Sequence, residues 1–283
     1  MKKKAALAAC SDPISPGRLH EISKVTEILQ DEGLQVIVPA ELFGGKAPDP
    51  GQKARCLMDC FADPEVGYIF DVSGGDLANQ VLPLLDYDII QRSGATFFGY
   101  SDLTTVINAI IGKTGRSAVN YQIRHLLYDY ADEQRACLRE KILPGKIDVR
   151  DLDIRFIRGD KMQGKLLGGN IRCFLKLAGT PFWPDLEGSI LLLESMGGGV
   201  NQMVTALEQY RQLGVFSKVR GILLGTFSKM EKEDLHPTME ELVLAMVPED
   251  IPVACTRFVG HYADARAVVL GREVSLGLPG TGR

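Results

Sequence analysis

ATFFGYSDLTTVINAII, residues 95–111, decides how this chain is read. Ala95 to Phe98 read as the end of a buried strand. Gly99, Tyr100, Ser101 and Asp102 form a turn, and a helix starts at once. A serine in a strand-to-helix turn can be held on a sharp backbone angle with its hydroxyl exposed, facing the first amides of the helix. On local pattern alone the simpler reading is that Ser101 caps the helix at Leu103 onward, its side chain bonded to the following amides.

The same strand, turn and helix order precedes it. Ala5–Ala9 reads as a first strand, followed by the loop Ser11-Asp-Pro-Ile-Ser-Pro-Gly17. Leu19, Ile22, Val25, Ile28 and Leu29 recur at helical spacing, and Leu34–Val38 is the next strand. A loop from Gly44 to Gly51 and a helix over Lys53–Phe61 follow. Val66–Val72 is a third buried strand, ending in Ser73-Gly74-Gly75-Asp76. Paired glycines there can turn backbone amides toward an anion, or simply make a tight turn. Two such loops at successive strand ends matter because open α/β sheets bind ligands outside the carboxyl ends of their strands.

Beyond the opening stretch, the apolar spacing predicts a helix over Asn120–Leu138. Val149–Ile157 alternates as an exposed strand, and Arg158-Gly-Asp160 reads as a charged turn. Gly168-Gly169-Asn170 is a turn into a helix through Leu175. Ser189–Glu194 and Gly221–Phe227 are buried strands, with a helix over Asn201–Leu213 between them. A helix over Pro237–Met246 and strands at Ile251–Cys255 and Ala267–Leu270 complete the pattern. The fold class is α/β: an amino-terminal parallel-sheet domain over residues 1–140, a linker over 141–155, and a mixed α/β domain over 156–283.

Composition narrows the function. The 283 residues are 45% hydrophobic and carry a formal charge of -4, with no basic cluster beyond Lys2–Lys4. Nucleic acid is therefore not the expected partner. The six cysteines are scattered and lack metal-site spacing, which fits a reducing compartment. MKKKAALAAC resembles a lipoprotein leader, but Ala5–Ala9 is too short for an export core. No segment approaches a membrane span. The expectation is a cytoplasmic protein with no metal and no cofactor. Neither H-E-x-x-H, a P-loop nor G-x-G-x-x-G occurs.

A general base near neutral pH is most simply a histidine. Of the four, His20 reads as helix surface, His125 as part of a helix, and His236 as a solvated loop residue. His261 follows a glycine in a loop between strand elements, the best catalytic placement. Glu194 ends an apolar strand, where a carboxylate needs an arginine to pair with or a histidine to orient. Ser101, Glu194 and His261 together would supply nucleophile, orienter and base.

ACSDP, FADPEVGYIFDVSGGD, LLDYDII, GYSDLTTVINAI, GKLLGGNIRCFLKLAGTPFWPDLEGSILLLES and VGH occur in an order and spacing similar to the LD-carboxypeptidase family of serine peptidases. That family also contains the enzymes that inactivate the peptide-nucleotide antibiotic microcin C. The resemblance implies Ser101 as nucleophile, Glu194 as the charge-holding member and His261 as base. It implies an oxyanion hole from the Asp102 amide with one from Gly75 or Asp76. It implies a site between two domains, a dimer, and a small peptide substrate such as a murein tetrapeptide cut between an L-centre and a terminal D-alanine.

Some residues depart from the family pattern. Asp71 to Asp76 brings acids to the glycine turn, Val119-Asn-Tyr-Gln122 replaces a glycine-proline pair on the expected substrate side, and Ser195-Met196-Gly197 follows the carboxylate. These leave open an acyl-nucleotide substrate, which an aromatic wall from Trp183 or Tyr262 would favour, and a peptide-binding protein without hydrolysis.

Overall fold

The computed structural model describes residues 4–40 and 49–277. Lys2, Lys3 and residues 44–48 of the loop expected from Gly44 to Gly51 lie outside the described residues.

Two six-stranded sheets organise the chain. The first runs β2 (Gln35–Ile37), β1 (Lys4–Ala8), β3 (Val66–Asp71), β4 (Thr96–Gly99), β5 (Ala118–Asn120), β11 (Val268–Leu270). Its first five strands are parallel, and β11 closes one edge antiparallel to β5. The second runs β12 (Glu273–Gly277), β7 (Lys161–Asn170), β8 (Ile190–Ser195), β9 (Gly221–Phe227), β10 (Val253–Cys255), β6 (Arg155–Arg158). Its four inner strands are parallel, with β12 and β6 antiparallel at the edges. Runs such as Ile190–Leu193, fully buried, suit strands covered on both faces.

The expected two-domain α/β architecture is present, with differences in detail. Residues 120–138 are not one helix. Asn120 ends β5, a 3₁₀ turn covers Ile123–Leu127, and Tyr130 takes a left-handed backbone (φ 66°) before a helix at Ala131–Cys137. The helical spacing of Ile123 and Leu126 instead buries them under the first sheet. Gly168 and Gly169 lie inside β7 rather than in a turn before the helix Ile171–Leu175. The late strand at Val268–Leu270 returns to the first sheet, so the carboxyl-terminal segment serves both sheets.

The helix Thr104–Thr114 joins the two halves. Thr104 through Ile111 are all buried, and Gly115 ends the helix in a left-handed conformation (φ 71°) with its amide on Ile111 O. Asn108 exchanges two hydrogen bonds with Gly168, and Asn170 N–H donates to Thr104 Oγ1 at 3.0 Å. Its apolar side chains belong to one continuous core that extends from the first sheet into the second. Burying Val106, Ile107, Ile110 and Ile111 contributes roughly 1.5–3 kcal/mol each. The seam is therefore packed and hydrogen-bonded, and it fixes the ends of β3, β4, β7 and β8 beside one another.

Candidate functional site

A cavity of about 760 Å³ opens at those strand ends. Gly75 and Asp76 follow β3, Ser101 follows β4, Asn170 ends β7 and Ser195 ends β8, and all five line it. The far wall comes from the helix Val200–Gln212. The convergence of parallel strand ends is what open α/β sheets offer a ligand.

Ser101 is half-buried and takes φ 56°, a conformation that costs a non-glycine residue roughly 1–2 kcal/mol. Its side chain does not cap a helix, and neither does that of Asp102. Asp102 is fully buried and accepts three hydrogen bonds: from Ser11 Oγ (2.6 Å), Ala78 N–H (2.7 Å) and Lys176 Nζ (2.6 Å). The residue after Ser101 thus ties the turn to β1's loop, to the segment after Gly75, and across the seam to the second half. Lys176 also donates to Asp76 O at 2.9 Å. Burial alone would lower the Lys176 pKa, but the bonds to Asp102 and Asp76 outweigh it and raise it.

Glu194 and His261 are brought together. Glu194 Oε2 lies 2.7 Å from His261 Nδ1, with both side chains almost wholly buried. Apart from this contact neither side chain has a hydrogen-bond partner among the described residues, and His261 Nε2 has none among them. The His261 ring lies against Tyr100, centroids 4.7 Å apart, which puts it next to the residue preceding Ser101. Gly260 makes this placement possible: it takes φ 141°, and a Cβ there would fall 2.0 Å from Thr226 Oγ1.

The glycine turn is held from outside. Asp12 N–H donates to Gly74 O, and Asp12 Oδ1 accepts the Asp76 N–H at 3.1 Å. A Cβ on Gly75 would fall 2.1 Å from Asp12 Cγ, so only glycine fits. The Asp76 amide is thus already engaged. The Gly75 N–H makes no hydrogen bond among the described residues. The Asp102 N–H lies in a first helical turn, where the helix supplies no acceptor.

The acids at this turn have separate tasks. Asp71 is buried and accepts from Cys10 N–H (2.8 Å) and Ser73 N–H (2.9 Å), locking the loop after β1 to the loop after β3. Burial pushes its carboxyl up, against the pull of those bonds. Asp76 is exposed and pairs with Arg172 (2.7 Å) and Lys176 (3.3 Å). Its carboxyl is lowered: burial opposes the change, and Arg172 and Lys176 override it. Val119-Asn-Tyr-Gln122, expected on the substrate side, is buried and does not line the cavity.

The remaining histidines are elsewhere. His20 and His236 are exposed. His125 is buried, with its ring edge-on to Tyr100 and Tyr121. Burial first, and neighbouring His261 second, push it down from 6.5 to about 4. The unfolded chain therefore takes up this proton near pH 6.5 and the folded chain only near 4. Stability present above 6.5 is lost as pH falls toward 4, by roughly 2–3 kcal/mol. Urea unfolding at pH 7 and pH 4.5 is expected to show a smaller acid loss in His125→Gln than in the wild type. Equal losses would contradict this assignment.

Sequence reasoning missed Arg172 and Lys176, although two cations within the apolar run IRCFLKL were a usable signal. Trp183 stacks on Phe174 at 4.5 Å and Tyr262 lies under Lys232; neither lines the cavity, and no described lining residue is aromatic. Among the described residues there is no disulfide, no acidic, cysteine or histidine cluster fit for a metal, and no helix long and apolar enough to cross a membrane.

Comparison with known proteins agrees with this architecture. Residues 5–121 match the family model of the LD-carboxypeptidase N-terminal domain, and residues 163–276 that of the C-terminal domain. YocD of Bacillus subtilis (strain 168) is 30% identical over 247 residues, 76% of this chain and 74% of that one. A protein named probable murein peptide carboxypeptidase, from the same organism, is 24% identical over 93% of this chain and 86% of its own length. The microcin C7 self-immunity protein MccF of Escherichia coli is 26% identical over 76% of this chain and 73% of its own length. The solved structure of MccF with aspartyl sulfamoyl adenosine shares the fold at a TM-score of 0.83 and 18% identity, covering 98% of this chain and 93% of that one.

Proposed function

The chain belongs to the LD-carboxypeptidase family of serine peptidases, and on that premise we propose that it removes a carboxyl-terminal D-amino acid from a murein-derived peptide through Ser101, Glu194 and His261. The observation that carries the catalytic reading is the buried Glu194–His261 contact of 2.7 Å, its ring against Tyr100, the residue before a serine held at φ 56° that lines the cavity. Glu194 orients the ring through Nδ1, leaving Nε2 as the nitrogen that takes the Ser101 proton. Catalytic hydrogen bonds often close only once substrate is bound, so an unpartnered Nε2 suits a base awaiting it.

Ser101 Oγ then attacks the carbonyl of the L-centre. The Gly75 and Asp102 amides stabilise the tetrahedral oxygen, while the Asp76 amide, held by Asp12, takes no part. His261 returns the proton to the leaving amine. It then activates water to release the acyl group, and Ser101 is regenerated. This reading extends to a cytoplasmic dimer engaged in cell-wall recycling, on family resemblance.

An aromatic wall would favour a nucleobase, and the described cavity lining holds no aromatic ring. The peptide reading is therefore preferred to an acyl-nucleotide one. Incubation with tetrapeptides ending in D- or L-alanine, followed by mass spectrometry, tests it. Release of alanine from the D-form alone is expected. Equal turnover, or turnover of the L-form only, would reject the proposed specificity.

A further inference from the structure

Arg172 and Lys176 stand four residues apart, on one side of the helix Ile171–Leu175 and its end, and both line the cavity with Ser101. They are held differently. Lys176 is 18% exposed and is anchored by the fully buried Asp102 and by the Asp76 carbonyl. Arg172 is 65% exposed, and its one ionic partner among the described residues is Asp76 Oδ1, itself on a side chain 58% exposed. A pair this open to solvent contributes little and exchanges readily.

The charges at this wall do not cancel without Asp76. Asp102 is committed to Ser11, Ala78 and Lys176. Asp76 is thus, among the described residues, the solvent-exposed carboxylate that faces both cations. A guanidinium presents a planar fork that matches a carboxylate at two points, whereas an ammonium does not.

We propose that Arg172 is a specificity-determining residue that binds the substrate's terminal carboxylate, and that the Asp76 side chain is its internal stand-in, displaced when substrate docks. This rests on the reading of the chain as a carboxypeptidase. It turns the acid at the glycine turn from an obstacle into a placeholder: Asp76 keeps the cation oriented over the cavity, and leaves it when a better-matched carboxylate arrives. Lys176 stays on Asp102 and supplies fixed positive potential behind it.

The test compares a tetrapeptide ending in D-alanine, its terminal carboxylate the only one, with the same peptide as its carboxamide. Binding is measured by calorimetry in the S101A protein, where no turnover interferes. The free acid is expected to bind about tenfold or more tighter than the carboxamide. S101A/R172Q loses that preference through weaker binding of the acid, with the carboxamide unaffected. S101A/D76N, which removes the stand-in, binds the acid several-fold tighter. Equal binding of acid and amide, an intact preference in R172Q, weaker acid binding in D76N, or no binding of the acid would each overturn the assignment. Wild-type turnover of both peptides is followed in parallel. Failure of turnover with the binding preference intact rejects the proposed reaction and leaves Arg172 as a carboxylate site.

Discussion

Replacing Ser101 with alanine is expected to lower kcat by on the order of 10⁵–10⁶-fold while the protein stays folded. The hydroxyl makes no bond that the fold depends on, since it caps no helix. What remains is catalysis by binding and by the oxyanion amides alone. The same position yields a stability signature that separates strain from chemistry. Ser101 takes φ 56°, and alanine keeps the Cβ that makes this costly. Glycine removes it. Ser101→Gly is therefore expected to be as inactive as Ser101→Ala but more stable by about 1 kcal/mol in urea unfolding. A glycine variant no more stable than the alanine variant would contradict the strain, and a variant retaining activity would contradict the nucleophile.

The second large effect is at Glu194. Its Oε2 faces His261 Nδ1 from the end of β8, and no other group among the described residues orients that ring by a hydrogen bond. Glu194→Gln keeps the shape and removes the charge. The amide can offer its N–H to Nδ1, which puts the ring proton on Nε2, where it cannot accept from Ser101. A fall in kcat of about 10⁴-fold is expected, with KM changed little, because the side chain is buried behind the histidine and does not line the cavity. Stability should hold, since a neutral side chain is easier to bury than a carboxylate. Steady-state kinetics on the D-terminated peptide checks this. A loss below tenfold would remove Glu194 from the catalytic group.

The parts legible in the sequence were those encoded locally. Apolar runs of four to eight residues marked β1, β3, β4, β8 and β9, and turn residues at their carboxyl ends marked Gly75, Ser101 and Glu194. His261 stood out through its glycine, whose φ of 141° the structure explains. Pairing across long separations was not legible. Nothing near Val268–Leu270 indicates that it lies beside β5 in the first sheet, 148 residues from its partner Asn120. The role of the Asp102 side chain was hidden because its partner Lys176 is 74 residues away. Apolar spacing misled at Ile123–Leu127, since a short turn over a sheet shows the same periodicity as a longer helix. Gly168 and Gly169 looked like a turn because a strand pressed against another element uses glycine for close approach, a signal that reads identically in sequence.

In the proposed reaction Ser101 is the residue that becomes acylated. Exposing the protein to a fluorophosphonate probe, then measuring intact mass and mapping the modified peptide, tests it directly. A single adduct on the peptide carrying Ser101 is expected, and none in Ser101→Ala. An adduct that persists in Ser101→Ala, or maps to another serine with activity lost in step, would contradict it.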